Sequence, residues 1–70
     1  MALQKRSFSL SGHRTSVALE AEFWTVLEAQ AMRQKQSMAA FVGEIDKARG
    51  NRPLASALRL AALAAASART

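Results

Sequence analysis

The chain has 70 residues, a net charge of +5 and no cysteine. A domain this small buries only about 60% of the surface its unfolded chain exposes, and without cysteine no disulfide or thiolate-bound metal can add stability, so association between chains is the favoured remedy. One histidine, His13, cannot build a metal cage alone, and the positive balance suits a polyanion, most often nucleic acid.

No secretory signal is read at the N-terminus, because Lys5-Arg6 is not followed by an apolar stretch. The longest uninterrupted apolar run, residues 60–66, is far short of the ~20 residues a membrane span needs. The expectation is a cytoplasmic protein, and the lack of cysteine fits a reducing compartment.

Residues 1–4 read as a loose start. Lys5-Arg6-Ser7-Phe8-Ser9-Leu10 then alternates, and His13-Arg14-Thr15-Ser16-Val17-Ala18-Leu19 alternates again. Successive strand side chains point to opposite faces, so His13, Thr15, Val17 and Leu19 share one side and Arg14, Ser16 and Ala18 the other. Ser11-Gly12 is suited to a two-residue hairpin turn. A hairpin there sets Leu10 opposite His13, Phe8 opposite Thr15 and Arg6 opposite Val17, and adds Lys5, Ser7 and Ser9 to the polar face. The other reading of residues 5–10 is a basic arm that orders only on binding.

Helix 1 is expected over about 20–35, with Glu20 and Glu22 in its first turn and Arg33 and Lys35 in its last, both suiting the helix dipole. Phe23, Val26, Leu27, Gln30 and Ala31 share the core face, with Trp24 beside it covering the edge. Ser37 caps helix 2, about 38–49, whose apolar face is Met38, Phe41, Val42 and Ile45 and whose Glu44, Asp46 and Lys47 read as solvated. Gly50-Asn51 ends it, and Asn51 then caps helix 3, about 53–67, with Pro53 near its first turn. Between Leu54 and Ser67 only Ser56, Arg59 and Ser67 are clearly polar, so this helix needs burial on more than one side, as a dimer interface or a lid over helix 1. The whole chain, 1–70, reads as a single domain, mainly α with a short N-terminal β segment around residues 5–19.

Catalysis has little to work with. His13 is the only base for the serines, no acid near it in sequence could orient it, and there is neither a phosphate-binding glycine loop nor metal-ligand spacing. The expectation is no enzyme, no metal and no cofactor. The bases are placed unevenly: Lys5, Arg6 and Arg14 flank the strand, and Arg33 and Lys35 precede helix 2.

Strand, helix, short corner and serine-initiated helix together resemble the ribbon-helix-helix (MetJ/Arc-type) family of DNA-binding proteins. The matching residues are Arg14-Thr15-Ser16-Val17-Ala18-Leu19, Phe23 to Leu27, and Ser37-Met38-Ala39-Ala40-Phe41-Val42. Lys5-Arg6-Ser7, Gly12-His13-Arg14, Glu22-Phe23-Trp24, Glu44-Ile45-Asp46 and Ser56-Ala57-Leu58-Arg59 are similar to a short bacterial subfamily, so the resemblance covers about residues 5–63. It implies an intertwined homodimer with an intermolecular antiparallel β-ribbon inserted into the DNA major groove, here with an extra C-terminal helix. By the same resemblance Arg14, Ser16 and Ala18 read bases. Ser37 and Met38, at the start of helix 2, hold phosphate, with Lys5, Ser7, Ser9 and Lys35 as further contacts. Val17, Leu19, Phe23, Leu27, Phe41, Ile45 and Leu58 form the dimer core. The sequence departs from the family in three places. Gln34-Lys35-Gln36 replaces a glycine corner and predicts a more helical loop, Ala18 is a weak reader, and helix 2 ends early at Gly50.

The implied function is a bacterial transcriptional regulator, a repressor that binds DNA as a homodimer or higher oligomer. Two other readings stand beside it: an antitoxin that represses its own promoter and binds a toxin, and a dimeric protein-interaction module that has lost DNA binding.

Overall fold

Alternation along residues 3–20 is realised as a β-hairpin. The computed structural model describes residues 2–68. Strands β1 (Leu3–Leu10) and β2 (His13–Glu20) pair antiparallel over eight positions, Leu3 opposite Glu20 through Leu10 opposite His13. Ser11 and Gly12 both take positive φ, 52° and 82°, as a hairpin turn matched to strand twist requires. The hairpin forms in the register the alternation predicts, so residues 5–10 are an ordered strand. Strand β1 also begins earlier, taking in Leu3 and Gln4; Met1 lies outside the described residues. Each β2 residue thus has a partner from its own chain. The sheet has two strands, so β2 has no strand on its other edge among the described residues.

The inner face of the hairpin carries Phe8, Leu10, Val17 and Leu19, all buried against three helices. Helix α1 spans Ala21–Arg33 and starts one residue later than expected. Glu20 stays extended (φ −61°, ψ 148°) at the N-cap position and makes no side-chain cap bond. Its carboxylate instead accepts from Arg59 on α3 (Leu54–Ala68), at 3.0 and 3.1 Å. The buried residues of α1 are Trp24, Leu27 and Ala31, while Phe23, Val26 and Gln30 are only half-buried. The stripe is therefore turned toward Trp24, because the hairpin needs a large cover: the Trp24 ring lies 6.0 Å from that of Phe8, and its Nε1–H donates to the Gln4 carbonyl at 2.8 Å.

The corner after α1 is not more helical. Lys35 turns to φ +56°, its N–H bonds Met32 O, and Gln36 N–H reaches back to Ala31 O. These are the two bonds of a Schellman stop, with lysine where glycine is usual. Helix α2 spans Met38–Ala48; the Ser37 hydroxyl oxygen accepts from the Ala40 N–H at 3.1 Å as its cap. Phe41 and Val42 are buried. Glu44 and Asp46 are not simply solvated, since Glu44 accepts from Gln36 Nε2 and Asp46 pairs with Arg49. Before α3, Asn51 lies in the turn and is not the cap. The Pro53 carbonyl accepts from Ala57 N–H, which puts Pro53 at the N-cap position. Leu58 and Ala62 seat α3 in the core; Leu60 and Leu63 face solvent, 46% and 56% exposed.

Of the residues assigned to a dimer core, Val17, Leu19, Leu27, Phe41 and Leu58 are already buried within one chain. Phe23 and Ile45 remain half-covered. The third helix is the reason: Leu58 and Ala62 fill space over α1 and α2 from inside the same chain.

Two expectations follow. A non-glycine residue in the left-handed region is strained by roughly 1–2 kcal/mol, partly offset by the extra freedom glycine has when unfolded. Lys35→Gly should therefore raise stability by about 0.5–1 kcal/mol, read as a higher urea midpoint at unchanged slope; a lower midpoint would refute the strained corner. The Glu20 carboxyl is held below its ordinary value of 4.5, first by a backbone hydrogen bond and then by Arg59. A depressed carboxylate stabilises fully above the ordinary value and loses that contribution as pH falls through the lowered one. The Tm gap between the wild type and Glu20→Gln should thus be widest near neutrality and close as the pH falls below the carboxyl's ordinary value of 4.5. A gap that stays constant into acid would contradict the pairing.

Candidate nucleic-acid interface

Strand pairing brings six outward positions into three cross-strand pairs: Ser9 with Arg14, Ser7 with Ser16, and Lys5 with Ala18. Five of the six are exposed and Ala18 is intermediate. The Ser7 and Ser16 hydroxyls share a hydrogen bond at 2.8 Å in the middle of the face. Lys5 and Arg14 lie at opposite ends, and neither has a side-chain partner among the described residues. No acid stands among these six. The first, Glu20 at the far end of β2, is occupied by Arg59. The face therefore offers two free cations, three hydroxyls able to donate or accept, and one methyl.

Arg6 does not belong to it. Its parity places it on the inner face, where its guanidinium stacks over the Trp24 ring at 4.8 Å from the centroid and pairs with Glu28. Glu28 is accordingly an ion-pair partner, not a free solvated acid. The pairing was legible in the alternation, which already set Arg6 opposite Val17; its reach to α1 was not.

Helix α2 begins beside the hairpin tip. A cleft there is lined by Ser9, Leu10, Ser11, Ala39, Ala40, Gly43, Glu44 and Lys47. Gly43 faces Leu10 there, and a Cβ at that position would make only ordinary van der Waals contact, 3.9 Å from Leu10 Cδ2. Ser37 is exposed and Met38 half-buried at the start of the helix. The Ser37 oxygen already accepts from Ala40 N–H, so toward an anion its hydroxyl can only donate, together with the first free backbone N–H groups of α2. Lys35 is exposed at the corner, and the positive φ directs its backbone out of the helix path. The cleft also adds Lys47, exposed and unpaired on α2 next to the tip, which sequence reasoning treated only as a solvated charge.

No cluster of metal-ligating side chains is found among the described residues, and no helix there is long and apolar enough to cross a membrane.

A β-ribbon with a basic, hydroxyl-rich outer face, backed by helices whose second member starts near the ribbon, defines the class of strand-presenting nucleic-acid readers. The family model described as Ribbon-helix-helix domain matches residues 3–66, and the chain belongs to that family. Its members are generally DNA-binding modules without catalytic activity. No curated protein and no solved structure matches the chain.

On a preferred DNA site, Arg14→Ala should cost about 1–3 kcal/mol and relax the base preference at its position. Lys5→Ala, in contrast, should weaken all sequences alike and reduce the salt slope by about 1. Titrations at several salt concentrations separate the two. Equal loss of sequence preference in both variants would contradict the division of roles.

Proposed function

We propose that this chain is a DNA-binding bacterial transcriptional regulator, a repressor that uses the outer face of its hairpin in the major groove and works as a homodimer. One observation carries the reading: six outward hairpin positions hold Lys5 and Arg14 unpaired, with hydroxyls between them and no acid. Arg14 can grip guanine through two bonds, Ser16 can donate or accept, and Ala18 can touch a thymine methyl. Ser37, Met38, Lys35 and Lys5 supply phosphate contacts that fix the register without reading sequence.

The dimer draws support from what one chain leaves uncovered. Phe23 and Ile45 are half-buried, and Leu60, Leu63 and Met32 are exposed. A shallow groove between α2 and α3 continues the same surface, with an apolar floor that includes Ile45, Leu60 and Ala61 and with Arg49 and Arg52 also lining it. That surface also favours a second reading, an antitoxin, in which a toxin takes the α3 side while the hairpin holds the promoter.

Gel shifts with genomic fragments test the main reading. Retardation of a subset of fragments, weakening steeply with salt, is the expected result. No retardation at 50 mM salt, with condensed counterions still fully available for release, would overturn it. A module that has lost DNA binding would give that outcome while remaining dimeric in sedimentation.

A further inference from the structure

On the outer face of the hairpin Ser7 stands opposite Ser16, and their hydroxyls are joined at 2.8 Å. Among the described residues this is the one outward pair whose side chains bond each other; Lys5 with Ala18 and Ser9 with Arg14 do not. The bond is well supported from behind. Arg6 and Phe8, the neighbours of Ser7 in β1, point inward: Arg6 lies over the Trp24 ring and pairs with Glu28, and Phe8 is buried against the same ring. Val17, next to Ser16 in β2, is buried as well. Strand β1 occupies one edge of β2 and leaves the other open. The serine pair is therefore compatible with a reading ribbon that takes one β2 strand from each of two chains.

A hydroxyl carries one proton and two acceptor sites. A lone serine turns its proton freely and serves base donors and base acceptors alike. In the bonded pair one proton lies between the two oxygens. When Ser7 donates, Ser16 keeps its own proton for a base acceptor; when Ser16 donates, it meets the base with lone pairs only. In both arrangements Ser16 Oγ is held in place before DNA arrives, and less side-chain freedom is lost on binding. We infer that Ser7 is a positioning residue for base reading: it acts through Ser16, holds that hydroxyl in one orientation, and so sharpens the choice of base at the Ser16 position. The role rests on the DNA-binding reading proposed above. By the family resemblance Ser7 touches DNA itself, and the two roles differ in what the loss of its hydroxyl does.

Selection of bound duplexes from a random pool tests this with the full-length wild type, Ser7→Ala, Ser7→Thr, Ser16→Ala and the double alanine variant. Both serines are exposed, so these changes leave the core intact, and Trp24 fluorescence checks that β1 stays seated. Ser16→Ala should relax the base position it faces. Ser7→Ala should relax that same position, with discrimination falling about fivefold, the factor one net hydrogen bond is worth. Adding Ser7→Ala to Ser16→Ala should change nothing further, because coupled residues are not additive. Ser7→Thr keeps the hydroxyl and suits a strand, so it should restore the preference. The salt slope should match the wild type in every variant, since no charge is removed. A Ser7→Ala effect that adds to that of Ser16→Ala, or falls on another base pair, would reveal a DNA contact of its own and overturn the positioning role. The role would equally be overturned by no effect of Ser7→Ala, by Ser7→Thr behaving like Ser7→Ala, or by Ser16→Ala leaving the preference unchanged. Failure of the wild type to enrich any sequence would instead overturn the DNA-reading function on which the role rests.

Discussion

The structure depends on the seating of the hairpin against Trp24. A single buried side chain meets β1 in three ways: an indole hydrogen bond to Gln4, a tilted ring contact with Phe8, and a stacked guanidinium from Arg6. Burial of a tryptophan is worth about 3–5 kcal/mol on truncation, whereas the whole stability expected for 70 residues is only about 4–10 kcal/mol. The exposed Arg6–Glu28 pair adds about 1 kcal/mol or less, so its effect is mainly on placement. The seating also decides which face of the ribbon is inside. With Phe8, Leu10, Val17 and Leu19 turned to the helices, Lys5, Ser7, Ser9, Arg14 and Ser16 have no choice but to face out.

The third helix works on the same economy. A two-helix chain would leave Leu27 and Phe41 waiting for a second copy; here Leu58 and Ala62 supply much of that cover, and Arg59 fastens the helix to the end of β2 through Glu20 and lies over the Phe23 ring. One chain therefore completes more of its own core than the family resemblance implies. What one chain leaves uncovered lies further out, at Phe23, Ile45, Leu60 and Leu63.

Period-2 alternation and a Ser-Gly turn made the hairpin and its register legible, because a one-residue slip would turn every side chain to the wrong face. Ser37 as the cap of α2 was legible for the same kind of local reason. What the sequence hid was tertiary. Trp24 sits one position off the expected stripe, and only the hairpin above it explains why it is the most buried aromatic. Arg6 and Glu28 are 22 residues apart and Glu20 and Arg59 are 39, distances over which charge patterning carries no information. Lys35 in the left-handed region contradicts its own preference, and a strained corner beside a proposed phosphate contact is where local rules most often yield. The outer-face positions follow from strand parity alone, so the candidate site was the better-read part of the chain, and the packing behind it the worse.

In the proposed function the outer face of the hairpin meets DNA. Backbone amide shifts of the full chain, followed while a selected duplex is added, test it most directly. The largest changes should fall along residues 5–9 and 14–18 and at the start of α2, with residues 60–64 of α3 unmoved. Changes centred on α3, with the hairpin undisturbed, would contradict it.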